Sequence, residues 1–342
     1  MTTQPTPGPP GLDLDAFAAW FGAACPGEVT GPLTGTLVAG GKSNLTYIVG
    51  DGHREWVVRR PPLGHVLATA HDMGREHRVM TALRDTDVPV PRTYAYCEDE
   101  DVMGAKFYVM ERVHGTPYRT AAELAPLGPE RTEAISRRSV ETLAALHSVD
   151  PAAVGLADFG RPGGFLERQV RRWGKQLDAS RSRDLAGADE LRTLLAANVP
   201  AEQKPAIVHG DYRLDNLLID DEDRVTAVLD WEMATLGDPV TDVALMVVYG
   251  RLASMDTAVS DASTAPGFLD EDETLALYRE RSGRDLSAMG FYLGLACFKL
   301  AVILEGIHYR FTQGQTVGEG FDSVGAAVEP LIASGLTSLK EN

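Results

Sequence analysis

Basic residues are in short supply in this chain. Its 342 residues hold 32 Lys and Arg against 49 Asp and Glu, a formal net charge of −17. Nonspecific nucleic-acid binding needs Lys and Arg to neutralise phosphates, so the balance argues against a nucleic-acid partner. Solubility is the plain meaning of such a charge; attraction of cationic small molecules is a weaker one. Cysteine is scarcer still. Cys25, Cys97 and Cys297 stand far apart, with no C-x-x-C pair to signal a zinc site or a disulfide framework. They read as small buried apolar side chains and suit a reducing, cytoplasmic location. An uninterrupted apolar run of about 20 residues, as a membrane span needs, is also missing. The most apolar stretch, 289–307, is broken by Lys299 and Glu305 and carries Gly290 and Gly294. It reads as a buried core helix, and no membrane partner is expected. The opening MTTQPTPGPPG has neither a basic start nor an apolar h-region, so it reads as a disordered tail over residues 1–11 rather than a secretory leader.

What is present is an ordinary globular balance, 44% apolar and 24% charged, in a chain long enough for two lobes. Residues 12–24 have helical spacing, with Leu14, Phe17, Trp20 and Phe21 on one face. Strand patterns follow at 33–39, 45–49 and 56–59, the last two joined by an Asp51-Gly52 turn. A helix is predicted over 69–84, then strands around 92–97 and 106–111. After Gly115 the character turns helical, with helices at 130–148, 164–178, 238–250, 271–282 and 287–309. No internal repeat is visible. The expected fold is α+β: a β-rich lobe over 12–112, a short connector near Met110–Gly115, and a mainly helical lobe over 113–342.

The chemistry concentrates in Ile207-Val208-His209-Gly210-Asp211-Tyr212-Arg213-Leu214-Asp215-Asn216-Leu217-Leu218-Ile219. Apolar residues bracket a compact polar loop. A turn at 220–224 leads to Val225–Leu229 and then Asp230-Trp231-Glu232, a hairpin expected to present Asp211 and Asn216 beside Asp230. Phosphoryl transfer needs such a set: a carboxylate to accept a hydroxyl proton, and a carboxylate with an amide oxygen to hold Mg²⁺ on the phosphates. Asp-x₄-Asn followed by an Asp after a strand matches a kinase catalytic loop and its metal Asp. The bland alternative is an acidic turn with a structural His; order and spacing together weigh against it.

With H-G-D-x₄-N, D-W-E and G-D-P-x-x-D in place, the chain resembles the aminoglycoside phosphotransferase and choline kinase superfamily, from about residue 30 onward. That resemblance implies a protein-kinase-like two-lobe fold. Residues 209–218 and 229–242 are most similar to phosphotransferases related to the kinase domain fused to acyl-CoA dehydrogenase in vertebrates. Carried over by position, Asp211 is the catalytic base, Asn216 a magnesium ligand and Asp230 the principal magnesium ligand. Arg213 would steady the γ-phosphate or close a salt bridge within the loop. Asp215 would order the loop, His209 would fix it by packing and a hydrogen bond, and Asp242 would brace it.

The nucleotide would meet the first lobe. Ala39-Gly40-Gly41-Lys42-Ser43-Asn44 links two strands, and its glycines let backbone N–H groups approach phosphates. It is neither G-x-G-x-x-G nor a Walker A loop, and alone it would pass for a hairpin turn. The resemblance to a G-G-x-S-N loop assigns Gly41, Lys42, Ser43 and Asn44 to the phosphates. The resemblance also implies a Lys on the third strand, where this chain reads Trp56-Val57-Val58-Arg59-Arg60. Arg59 is the expected substitute, since its planar fork binds two oxygens, with Glu76 as its partner. The adenine would meet backbone groups of about Glu111 to Val113.

Three functions compete: an ATP- and Mg²⁺-dependent kinase of a small-molecule hydroxyl, a nucleotide-binding pseudokinase, and a protein kinase. Asp211, Asn216 and Asp230 are all present, against the second. Gly237-Asp238-Pro239 follows Asp-Trp-Glu at once, leaving no room for an activation loop, against the third. The acceptor is not fixed by the sequence. Arg168, Arg171 and Arg172 form a basic cluster that favours an anionic acceptor such as a hydroxyacyl-CoA; the overall charge favours an aminoglycoside.

Overall fold

Helix α1 (Leu14–Ala24) starts where Asp13 caps it, its carboxylate accepting from the amides of Asp15 and Ala16. Its apolar face sends Phe17 and Phe21 into a core shared with Tyr47, Val49, Trp56, Val58 and Phe107. Those residues belong to an antiparallel sheet of β1 (Thr34–Leu37), β2 (Leu45–Gly50), β3 (Glu55–Arg60), β4 (Thr93–Cys97) and β5 (Phe107–Glu111), in the order β1-β2-β3-β5-β4. Helix α2 (Met73–Leu83) packs against β4 and β5. The computed structural model describes residues 8–38, 44–64, 72–255, 260–315 and 323–341. The start expected for α2, at 69–71, lies outside them.

The Asp51-Gly52 turn forms as the sequence suggests. Gly52 sits at φ +87°, and Asp51 accepts from the amides of Thr30, His53 and Arg54, tying the turn to the segment before β1. The tail expected over 1–11 has a docked end. Tyr47 donates to the carbonyl of Pro10, and Arg60 donates to those of Gly11 and Met103.

Two units share the chain: Met1–His114 with Thr226–Glu232, and Gly115–Val225 with Met233–Asn342. The second holds α3 (Ala121–Leu124), α4 (Pro129–Ser148), α5 (Phe165–Ser180), α6 (Ala188–Ala197), β6 (Ala206–Val208) and β7 (Leu217–Ile219). The chain reaches the first unit through β8 (Val225–Val228) and comes back at β9 (Thr235–Gly237), which pairs antiparallel with β6. Helices α7 (Val240–Ala253), α8 (Glu271–Ser282), α9 (Met289–Thr312) and α10 (Val328–Lys340) complete it. The architecture is α+β, as expected.

Helix α9 is long and apolar enough to cross a membrane, yet 78% of its most apolar window is buried within the structure, against α5, α7 and α10. Two of its neighbours, α6 and α10, are absent from the sequence reading. Pro330 and Gly335 make α10 look broken. Pro330 stands in the first turn, where helix amides have no intrahelical partner to lose. Gly335 lies where a Cβ would come within 3.4 Å of the Gly294 carbonyl, so the glycines let α9 and α10 approach closely. Cys97 and Cys297 are buried, Cys25 is partly so, and all three are free thiols.

Candidate active site

In the second unit, β6 runs into His209-Gly210-Asp211. Gly210 has φ +85°, and a Cβ there would come within 2.8 Å of Met233 Cβ, so the turn requires glycine. His209 is fully buried; its Nδ1 accepts from the Asp211 amide at 3.2 Å and its ring meets Tyr212 edge-on. Asp242, in the first turn of α7, accepts from the amides of His209 at 2.7 Å and Gly210 at 2.9 Å. Its Oδ2 also meets His147 Nε2 at 3.2 Å. Burial alone would raise the Asp242 carboxyl, but these donors outweigh it and hold the group below its usual range. Burial lowers the pKa of His147, which is therefore neutral, with Nε2–H on Asp242 and Nδ1 accepting from Tyr278 at 2.7 Å. The brace expected of Asp242 is thus a set of bonds to the loop backbone.

The Asp211 carboxylate has one oxygen firmly held. Tyr249 Oη, from α7, donates to Oδ1 at 2.6 Å. Burial, and then the nearby Asp211 charge, push the Tyr249 phenol far above its usual pKa, so it stays a donor. Among the described residues, Oδ2 has only a 3.3 Å contact from Asn216 Nδ2, which donates more closely, at 2.9 Å, to the Asp211 carbonyl. With its NH₂ so used, the other polar atom of the Asn216 side chain is its amide oxygen, an acceptor. Arg213 pairs with Asp215 and its guanidinium lies 5.3 Å from the centroid of the Tyr249 ring. The salt bridge within the loop is the geometry found for Arg213.

In the first unit, alternation along β3 separates the two arginines. Arg60 is buried on the core side among backbone carbonyls. Arg59, on the other face, pairs with both Glu76 and Asp230, its Nε standing 3.2 Å from Glu76 Oε2 without an aligned hydrogen bond. Burial works against the guanidinium charge; Glu76 and Asp230 outweigh it and hold Arg59 charged. Glu76 is buried, which pushes its carboxyl above the usual range, and it accepts from Tyr108 Oη at 2.9 Å and Asn44 Nδ2 at 3.3 Å. Asn44 also reaches Glu232 at 3.3 Å. Asp230 itself has φ +64°, a left-handed conformation uncommon outside glycine. So Asn44, Arg59, Glu76 and Asp230 form one network. Gly41, Lys42 and Ser43 lie outside the described residues. Val113 follows β5, and the Glu111 amide is committed to the Arg92 carbonyl at 2.8 Å.

Among the described residues, no group of three or more His, Cys, Asp or Glu is arranged to hold a metal ion. Mg²⁺ brought in with a nucleotide does not need one. It is bound through one or two carboxylates with phosphates and waters. The Asp230 carboxylate in the first unit and the Asn216 amide oxygen in the second are each a hard oxygen donor of the kind Mg²⁺ takes.

Two residues escaped the sequence reading. Tyr249 gave no signal, lying in an apolar helix where aromatic side chains are common. Lys299 did: a lysine in the most apolar stretch of the chain asks for a partner, and its Nζ donates to the Gly210 carbonyl at 2.6 Å.

This chain is matched over residues 34–281 by the family model APH, the phosphotransferase enzyme family. Acyl-CoA dehydrogenase family member 11 of Rattus norvegicus is 34% identical over 335 residues, covering 95% of this chain and 43% of that protein. The chain therefore spans less than half the length of this relative. A crystal structure from Ralstonia eutropha JMP134, described as a candidate aminoglycoside phosphotransferase, is 35% identical with a TM-score of 0.85, covering 96% of this chain and 98% of that one. Aminoglycoside phosphotransferase APH(4)-Ia, in a ternary complex with AMP-PNP and hygromycin B, has 16% identity, a TM-score of 0.61 and coverage of 95% and 97%; it shares the fold. On this match, and with the kinase-like α+β fold it shares with these structures, the chain belongs to the APH phosphotransferase enzyme family.

Proposed function

We propose that this protein transfers the γ-phosphoryl group of ATP to a hydroxyl of a small molecule. The observation that carries this reading is the state of Asp211: Tyr249 holds Oδ1 at 2.6 Å, and Oδ2, with the longer 3.3 Å contact from Asn216 among the described residues, is the oxygen better placed to accept from a hydroxyl. In the reaction, the acceptor O–H proton passes to Asp211 Oδ2. The acceptor oxygen bonds to the γ-phosphorus as the bond to the β–γ bridging oxygen breaks, and ADP leaves. Asp230 and Asn216 would hold Mg²⁺, which when bound neutralises charge on the phosphate oxygens. Arg59, kept charged by Glu76 and Asp230, would contact the phosphates.

For the acceptor, a hydroxyacyl-CoA is the first candidate. Support comes from the relationship to acyl-CoA dehydrogenase family member 11 and from the exposed basic face of α5. Arg168 is partly spent there, donating to the carbonyls of Arg161 and Gly163. Arg171, Arg172 and Lys175 carry the face. An aminoglycoside is the rival, supported by the net charge and by the names of the structural relatives. The test is incubation with Mg·ATP and either 4-hydroxyacyl-CoA or kanamycin, read by the mass gain of one phosphoryl group. Reaction of kanamycin alone would reverse the order. Nucleotide binding with no transfer to any hydroxyl would favour a pseudokinase.

A further inference from the structure

Lys299 occupies the middle of α9, where Ala296, Cys297, Phe298, Leu300, Ala301 and Val302 are buried around it. Lys299 itself is half-buried, and taking its ammonium even partly out of water is unfavourable. What it obtains among the described residues is modest: one hydrogen bond, Nζ to the Gly210 carbonyl at 2.6 Å, and the Trp173 ring, with Nζ 5.7 Å from its centroid. Among the described residues no carboxylate forms an ion pair with it, and burial pulls its pKa below the usual lysine value. A cation kept in an apolar helix for a single carbonyl points to the importance of that carbonyl.

The Gly210 carbonyl belongs to the peptide group that joins Gly210 to Asp211. The N–H of the same peptide donates to His209 Nδ1. The preceding N–H, that of Gly210, donates to Asp242. Both polar atoms of the peptide before Asp211 are therefore held by side chains, one of them Lys299. Gly210, at φ +85°, has more rotational freedom than any other residue would, so its peptide needs an external hold. The plane of that peptide fixes ψ of Gly210 and φ of Asp211, and through them the direction in which the Asp211 carboxylate leaves the backbone.

We propose that Lys299 is a positioning residue for the phosphoryl-transfer reaction: by gripping the Gly210 carbonyl from α9, it aims Asp211. This rests on Asp211 being the base. The simpler alternative is a structural cation that offsets the nearby Asp211 and Asp242 charges, and stability separates the two. Lys299→Met keeps the side chain's length, removes a partly desolvated charge and suits the apolar helix. Positioning predicts a melting temperature equal to or above the parent's, while a structural cation predicts a fall.

The experiment combines three measurements on Lys299→Met, with Lys299→Gln as a second variant. Amide hydrogen exchange should accelerate in peptides covering residues 207–218 and stay as in the parent elsewhere. Turnover of an acceptor found by the hydroxyl screen should fall about 10- to 100-fold, as small misplacements of catalytic groups do, with KM for ATP within about twofold. Unchanged loop exchange overturns the proposal, as does unchanged turnover despite a loosened loop. A fall in melting temperature with faster exchange throughout α9 in both variants also overturns it, in favour of the structural cation. If the parent transfers phosphoryl to no acceptor, the functional reading fails instead, and the exchange data alone decide whether Lys299 holds the loop.

Discussion

Tyr249 and Asp211 share a 2.6 Å hydrogen bond, the phenol donating to Oδ1. Tyr249 and Asp242 are i and i+7 on α7, so they fall on one stripe of the helix. Asp242 holds the loop's backbone and Tyr249 holds the Asp211 carboxylate. A rigid element thereby sets the aim of Asp211, which a loop alone would leave to chance.

Tyr249→Phe should free Oδ1 while keeping the ring under Arg213. A hydrogen bond to a charged group contributes about 1.5–3 kcal/mol. Its loss in the transition state should lower kcat by about 10- to 150-fold, with ATP affinity unchanged. Asp211→Asn should lower kcat by about 10²- to 10⁴-fold, the span usual for a general base, with ATP still bound. Steady-state kinetics beside an ATP-binding titration checks both. Equal losses in the two variants would show that Tyr249 does more than orient.

Arg59 reaches two carboxylates at once, Glu76 through Nε and Asp230 through Nη2. A lysine is a single point of charge and cannot span both in this way. Arg59→Lys should therefore keep only part of the ATP affinity. A cycle of Arg59→Ala, Glu76→Ala and the double variant should show coupling in ATP affinity of about 0.5–3 kcal/mol, as contacting charged residues do. Strictly additive losses would separate the two residues in function.

Asp51 carries a pH dependence that belongs to the fold. The amides of Thr30, Arg54 and His53 hold its carboxyl well below the usual range. A group with a depressed folded pKa stabilises the protein above its unfolded value, about 3.9, and loses that contribution as pH falls through the folded value. Asp51→Asn should thus lower the melting temperature at pH 7, and the gap to the parent should narrow steadily below about pH 4. A gap independent of pH would mean that the charge of Asp51 is not what ties the turn.

The legible parts of this molecule were those whose chemistry is written into short stretches of chain. Asp211, Asn216 and Asp230 stand out because polar residues cluster between apolar strands, and Arg59 separates from Arg60 by the two-residue period of a strand. Glu76 was legible as its partner only through the family resemblance, since the two are brought together by tertiary packing. Tyr249 could not be found from sequence: its role is set by a hydroxyl meeting a carboxylate 38 positions earlier in the chain. The helix α10 was missed because Pro330 and Gly335 count as breakers in isolation, and only their places in the helix, in its first turn and at the crossing with α9, make them harmless.

Asp230 joins a proposed metal-ligand role to an unusual backbone conformation. At φ +64° an L-residue other than Asn or Asp is disfavoured by about 1–2 kcal/mol, and glycine is not. Asp230→Ala and Asp230→Gly remove the same carboxylate, so both should abolish the Mg²⁺ dependence of ATP affinity, and both should release Arg59 to Glu76 alone. They differ only in what the backbone must tolerate. Asp230→Gly should be more stable than Asp230→Ala by about 1 kcal/mol, the alanine being strained by more than the glycine loses through its freer unfolded chain. Denaturant midpoints measured alongside ATP titrations with and without Mg²⁺ separate the two properties. If either variant keeps the parent's magnesium dependence, Asp230 is not a ligand. If alanine proves as stable as glycine, the left-handed conformation at 230 is not a strained one.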